Sequence, residues 1–237
     1  MDNSRLEIEP GIWLDARRAI WFEEFSMLAV ADLHIGYNWA HRHGGQMLPL
    51  HQADDTVARL KNLCEFYKPA QLLLLGDIVH RALPLPQIEL ELQRLLTELQ
   101  GSTESRPTMA VFKSVGRDSV EPMRLHLILG NHDRFLEKLV SAPLQTEYVR
   151  GGYVFVHGHQ TNERAERVVM GHEHPAISVG DGVATSVKCP CFLISRKTIV
   201  LPAFSLWAAG GVEMPLRQRF ERAVAILGDK LLPIPLK

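Results

Sequence analysis

Three runs of this chain are almost wholly apolar, and each stops on polar donor groups: "LAVADLH" ending at His34, "LLLLGD" ending at Asp77 and "LHLILGNHD" ending at Asp133. An apolar run without alternation suits a strand covered on both faces, the situation of a parallel sheet between two layers. That narrows the chain to a layered α/β architecture. In such sheets functional groups collect at the carboxyl ends of the strands, which is where these polar groups fall. A fourth run, "YVFVHGH", ends the same way at His157, and a loop string "GHEH" follows at Gly171–His174.

The segments between these runs support the same class. "GIWLDARRAIWF" reads as a hairpin with Asp15 to Arg17 near its turn. "PLHQADDTVARLKNLCEFY" carries a helical stripe at Val57, Leu60, the Lys61 stem and Cys64. "PLPQIELELQRLLTEL" reads as a helix with Leu85, Ile88, Leu92, Leu95, Leu96 and Leu99 on one side. Residues 101–122 lose all periodicity and read as an exposed excursion, with a short strand at Met109 to Phe112. Beyond Asn131 short strands with Gly and Asp turns dominate, and helical signal returns near "LRQRFERAVAIL". The expectation is one domain over 1–237, a two-layered sheet sandwich with helices outside.

The composition excludes several classes. A formal net charge of -1 over 237 residues gives no global attraction to nucleic acid or to an anionic membrane. The polar, acidic start does not read as a signal peptide, and no apolar run approaches the roughly 18 residues of a membrane span. Three cysteines make no disulfide framework, which points to a reducing, cytoplasmic setting. Cys189 and Cys191 read as strand residues, since only Cys64 is left to complete a zinc site.

Eleven histidines, several directly after apolar runs, need a reason. Strand alternation lets Asp32 and His34 point the same way. Strand-end loops can bring Asp32, His34, Asp77, Asn131, His157, His172 and His174 together. These are carboxylate, amide and imidazole donors, which suit Mn²⁺, Fe, Zn²⁺ or Ni²⁺ without a thiolate, with Mn²⁺ favoured. Seven are too many for one tetrahedral ion and fit two ions sharing a carboxylate. "HGH" offers both His157 and His159; His157 continues the strand and is preferred. His126, inside "RLHLIL", reads as a sheet-face residue, and His51 as a helix-start surface residue.

The set "DLH", "GD", "GNHD", "HGH" and "GHEH" resembles the calcineurin-like metallophosphoesterase superfamily. "WLDARRAIW", "ADLHIGYNWAHRHGG", "GDIVH" and "PCFLISRKTIVLPAF" resemble more narrowly the ligase-associated, SbcD-like DNA-repair phosphoesterases. The resemblance implies a β-sandwich of two mixed sheets flanked by helices. It implies Asp32, His34 and His174 on a first ion, Asp77 bridging, and Asn131, His157 and His172 on a second. Two cations about 4 Å apart would then polarise one bridging hydroxide for attack on phosphorus. It also implies that His132 donates a proton or contacts phosphate, with Asp133 orienting it.

The implied reaction is phosphodiester hydrolysis on DNA ends or on short nucleic-acid or nucleotide substrates, with DNA-repair proteins as partners by resemblance only. A phosphomonoesterase or nucleotide pyrophosphatase is the enzymatic alternative. A metal-binding assembly module that has lost its chemistry is the other, although no expected ligand is missing. His80, three residues after Asp77 where many relatives carry an acidic residue, is a candidate substrate contact. So are His41, Arg42 and His43 in the basic, aromatic loop "YNWAHRHGGQ", which also holds Tyr37 and Trp39.

Overall fold

The computed structural model describes residues 3–49, 52–81, 83, 85–100, 122–140, 142–159, 166–180, 185–208 and 220–236. The expected excursion at 101–122, with its strand at Met109 to Phe112, lies outside the described residues except at Pro122, and so does His51.

Two mixed sheets face one another. The first runs β1 (Arg5–Glu9), β2 (Ile12–Asp15), β3 (Ala19–Phe22), β4 (Met27–Ala31), β5 (Gln71–Leu75), β6 (Arg124–Ile128) and β7 (Leu144–Gln145) in spatial order. Its first four strands are an antiparallel meander, and β4 to β7 are parallel. The second sheet contains β8 (Glu147–Arg150), β9 (Tyr153–Val156), β10 (Arg167–Met170), β12 (Ser186–Ile194), β13 (Thr198–Val200), β14 (Arg222–Leu227) and β15 (Lys230–Pro235), with β11 (Ala176–Gly180) paired to β12. Within it, β9, β10 and β13 are parallel.

The continuous apolar runs serve two cores at once. Leu73 and Leu75 of β5 join Phe22, Met27, Phe155, Phe192 and Val224 between the sheets. Leu72 and Leu74 face the other way, toward Val57, Leu60 and Leu63 of α2 (Gln52–Tyr67) and Ile88, Leu92 and Leu95 of α3 (Pro86–Gln100). A strand whose two faces both exclude water needs no alternation, so its sequence shows none. The α2 stripe differs in one residue: Leu63 is buried, whereas Lys61 is exposed and reaches Glu98 of α3 at 3.1 Å. No helix of the described residues is long and apolar enough to cross a membrane.

Two local expectations are corrected. The string "YNWAHRH" is not a loop but a short helix, α1 (Tyr37–His43), tied to α3 by a 2.7 Å hydrogen bond from the Trp39 indole to Glu91. The "RAVAIL" part of the expected last helix is strand β14, paired on both sides with β12 and β15. Val224 and Ile226 enter the inter-sheet core, and Ala223 and Ala225 enter a cluster on the outer face of the second sheet. Two-sided burial again erased the period-two signal, and alanine mimicked helix.

Candidate metal centre

The five expected donor strings leave the carboxyl ends of strands in both sheets. Asp32 and His34 follow β4, Asp77 follows β5, Asn131 follows β6, His157 follows β9, and His172 and His174 follow β10. Because β4, β5 and β6 are parallel neighbours in one sheet and β9 and β10 in the other, these ends meet at one edge of the sandwich. Gly130 shows how tightly the turns abut. A Cβ there would lie 2.2 Å from the Asp77 backbone nitrogen and carboxylate, so "GN" must begin with glycine.

The donors form two triads. Asp32, His34 and His174 offer atoms within 4.8 Å of one another, and so do Asp77, His157 and His172. In the first, the Nε2 atoms of His34 and His174 are 3.2 Å apart, and His174 Nε2 lies 3.5 Å from Asp32 Oδ1. Asp32 Oδ2 accepts from the His172 backbone N–H at 2.9 Å, but Oδ1 is buried without a hydrogen-bond partner. In the second, His157 Nδ1 lies 3.1 Å from the Leu75 carbonyl that accepts from it, and the other ring nitrogen is Nε2. That atom faces Asn131 Oδ1 at 3.1 Å, His172 Nδ1 at 3.1 Å and Asp77 Oδ1 at 3.4 Å. His157 also stands 3.6 Å from Asp32, linking the triads.

So many oxygen and imidazole donors converging on two points fit cations. The electrostatics agree. Burial, then the charge of His174, pushes His34 down to about 3, which keeps it a neutral ligand. Burial opposes a charge on His157, yet Asp77 and Asp32 outweigh it and raise that ring, so positive charge is favoured there. Burial would raise Asp77, but the His157 hydrogen bond and charge hold it well below the usual carboxylate range. The residues present therefore suit two divalent ions. His159 lies outside this core: it is exposed, with its ring centroid 5.3 Å from that of His157 and 6.3 Å from that of His172.

His132 stands beside the triads, its backbone N–H donating to Asp77 Oδ1 at 3.0 Å and its Nε2 3.9 Å from Asp77 Oδ2. Its Nδ1 meets the His80 carbonyl in a short contact. The expectation that Asp133 orients His132 needs correcting. The Asp133 carboxylate is buried and accepts from the backbone N–H groups of Val79 at 3.0 Å and Gly130 at 2.8 Å. It stitches the two donor-bearing turns together, and the group that meets His132 is the His80 main-chain carbonyl. The His80 ring lies between sites: Nδ1 is 3.4 Å from His34 Nδ1, and the ring packs against Tyr37 and His41 at centroid distances of 4.4 and 5.3 Å. Burial, then the charge of His132, pushes it down to about 4.

Arg42 and His43 are exposed at the end of α1, and Arg42 Nη1 donates to the Leu48 carbonyl at 3.0 Å. His126 is half-buried against Tyr148, ring centroids 4.4 Å apart. The sequence singled out neither Arg18 nor Arg59 as a functional residue. Both are half-buried and hold the segment that supports Asp32. Isolated arginines carry no periodic signal, so nothing local marked them.

A family model described as calcineurin-like phosphoesterase matches residues 25–176. Among solved structures, the crystal structure of Pseudomonas putida nuclease MPE is similar in fold, with a TM-score of 0.65 and 23% sequence identity over 97% of this chain and 98% of that one. No curated protein matches the chain in sequence.

Proposed function

The chain belongs to the calcineurin-like phosphoesterase family and is a metal-dependent phosphoesterase, and from that premise we propose that its reaction is phosphodiester hydrolysis at this centre. Asp32, His34 and His174 hold one divalent ion, Asn131, His157 and His172 the other, and Asp77 is shared. The observation that carries this reading is the convergence of the donors in two triads, with the buried Asp32 Oδ1 left unpartnered. When bound, the ions supply the charge that polarises a water molecule and the phosphoryl oxygens.

The side chains around them do the rest. Ionised Asp77, of the second triad, anchors His132 by accepting from its backbone N–H. Donation from His132 Nδ1 to the His80 carbonyl leaves Nε2 to pass a proton to the departing oxygen. His41 and His80 lie in a stack that continues to His132, and we assign them to the leaving-group side. Arg42 and His43 are assigned to a more remote phosphate, with the Arg42 anchor to Leu48 fixing its position.

Mn²⁺ is our first choice of ion, before Fe, Zn²⁺ and Ni²⁺, because the donors are oxygen and imidazole only. We place the chain, as one unit over 1–237, among the ligase-associated, SbcD-like repair phosphoesterases of the cytoplasm. Nucleic-acid ends, flaps or short single strands are then its substrates, and repair proteins its partners. The similar fold of a nuclease supports this, as do the strings at both ends of the chain. With a net charge of -1, binding is expected to depend only weakly on salt.

The test uses chelator-treated protein reconstituted with each ion. Hydrolysis of an aryl phosphodiester should be nearly absent before reconstitution and restored best by Mn²⁺, and diester should exceed monoester turnover. A protein carrying two ions per chain that cleaves neither ester nor any short nucleic acid overturns the proposal.

A further inference from the structure

A second concentration of charge lies away from the metal centre. Arg18, in the turn between β2 and β3, sends Nη1 to the carbonyls of Ala203 at 2.9 Å and Ser205 at 2.6 Å. Arg59 of α2 sends Nη1 to the Phe204 carbonyl at 2.8 Å and Nη2 to the Arg17 carbonyl at 3.3 Å, with its guanidinium 4.3 Å from the Phe204 ring centroid. All these acceptors are neutral. Among the described residues no carboxylate lies within ion-pair distance of either guanidinium. Burial pushes Arg18 down to about 10; burial, then the charge of Arg18, does the same to Arg59 against the smaller opposing pull of Asp55.

Two half-buried like charges without a paired carboxylate are costly. Capping four carbonyls does not require them, since neutral amide donors would do. The pair also borders a cavity of about 520 Å³, together with Arg17, Asp15, Ser4 and Asp229. Asp15 does not neutralise the pair: it is held by the Arg17 guanidinium at 2.8 and 2.6 Å and by the Tyr67 hydroxyl at 2.8 Å. A guanidinium has five N–H donors in a planar fork, and Arg18 commits one nitrogen and Arg59 two to carbonyls. Unused donors of two forks beside a cavity suit a tetrahedral oxyanion. None of the candidate metal ligands lines this cavity.

We propose that the cavity bordered by Arg18 and Arg59 is a second anion site, which takes a phosphate dianion either free or as the terminal group of a nucleotide. The site goes beyond the proposed phosphodiesterase centre and needs no metal. Chelator-treated protein is therefore titrated calorimetrically with inorganic phosphate and, separately, with adenosine 5′-monophosphate, at constant ionic strength set by chloride. One phosphate group per chain should bind. Tighter binding of the nucleotide identifies a nucleotide terminus as the ligand, and equal or tighter binding of the inorganic ion identifies free phosphate. Arg18→Gln and Arg59→Gln should each weaken binding by about tenfold or more.

If either variant fails to fold, the wild-type chain still decides the matter. Phosphate should slow phenylglyoxal modification of Arg18 and Arg59, read by peptide mass spectrometry, while leaving Arg42 unchanged. No binding to the metal-free chain, binding unchanged in both folded variants, or no protection of the two arginines overturns the proposal. A failed phosphodiesterase assay would leave these measurements untouched.

Discussion

Replacing Gly76 with alanine measures how rigidly the second triad is held. Gly76 follows β5 with φ +71, and a Cβ on it would sit 2.4 Å from Cγ and Nδ1 of His157. The ring has little room to yield, because Nδ1 donates to Leu75 while Nε2 meets Asn131 and His172 at 3.1 Å each. Alanine in the left-handed region costs about 1–2 kcal/mol. Forcing extra volume into a packed site costs about 1–3 kcal/mol more. The sum is about 2–5 kcal/mol, and the strain is relieved mainly by displacing His157. Loss of orientation of a ligand typically weakens metal affinity by about 10–100-fold. Gly45→Ala is the control: its φ is +88, but nothing lies within 4 Å of the added Cβ, so only the backbone cost applies. Urea unfolding gives the stabilities, and elemental analysis at limiting Mn²⁺ gives the ions retained. The reasoning is refuted if Gly76→Ala matches Gly45→Ala in stability and keeps both ions.

Three shorter predictions concern neighbouring groups. His132→Ala should lower kcat by about 10²–10⁴ while two ions stay bound; loss of an ion would show that His132 is a ligand instead. Asp133→Ala should destabilise by roughly 3 kcal/mol, because the Val79 and Gly130 N–H groups lose a buried acceptor; a change under about 1 kcal/mol by urea unfolding would contradict the stitching role. Glu9 is lowered chiefly by its hydrogen bond to Arg167 and accepts from that guanidinium at 2.6 Å, joining the first sheet to the second. A depressed folded-state value means the contribution is present above the usual glutamate range and is lost as pH falls through the folded value. Glu9→Gln should remove that acid-side loss, at most about 1 kcal/mol because the pair is partly exposed, and an unchanged slope of stability against pH would refute the assignment.

The inner site and the parallel strands were legible for one physical reason. A strand buried on both faces must be apolar throughout, so its polar termination at Asp32, Asp77 or His157 stands out. The same condition hid β14. With Ala223 and Ala225 on one face and Val224 and Ile226 on the other, "RAVAIL" offers neither alternation nor strong β-branching. α1 was missed because a helix of 7 residues has no full apolar stripe, and its aromatic and histidine side chains resemble a binding loop. The role of Asp133 was misplaced because sequence gives adjacency to His132 but not direction. Its carboxylate turns inward to main-chain donors, and the group that meets His132 is a carbonyl from a residue 52 positions away. A main-chain contact leaves no trace in residue type.

Backbone strain at the ligands links stability to metal binding. Of the eight non-glycine residues with positive φ among those described, five are candidate ligands: Asp32, His34, Asp77, His172 and His174, with φ from 43 to 70. Asp and His tolerate this region better than most residues, yet each still costs of the order of 1 kcal/mol. The total is a substantial share of the about 5–15 kcal/mol that keeps a domain folded. Without metal, His174→Gly should relieve the strain at that residue and raise Tm by about 2–4 °C. With Mn²⁺ in excess the order should reverse, because ligand binding to the folded chain stabilises it by mass action and the variant has lost a donor. Melting curves in chelator and in Mn²⁺ test this directly. If His174→Gly melts below the wild type in chelator as well, the left-handed turns are not strained and the histidine belongs to the fold itself.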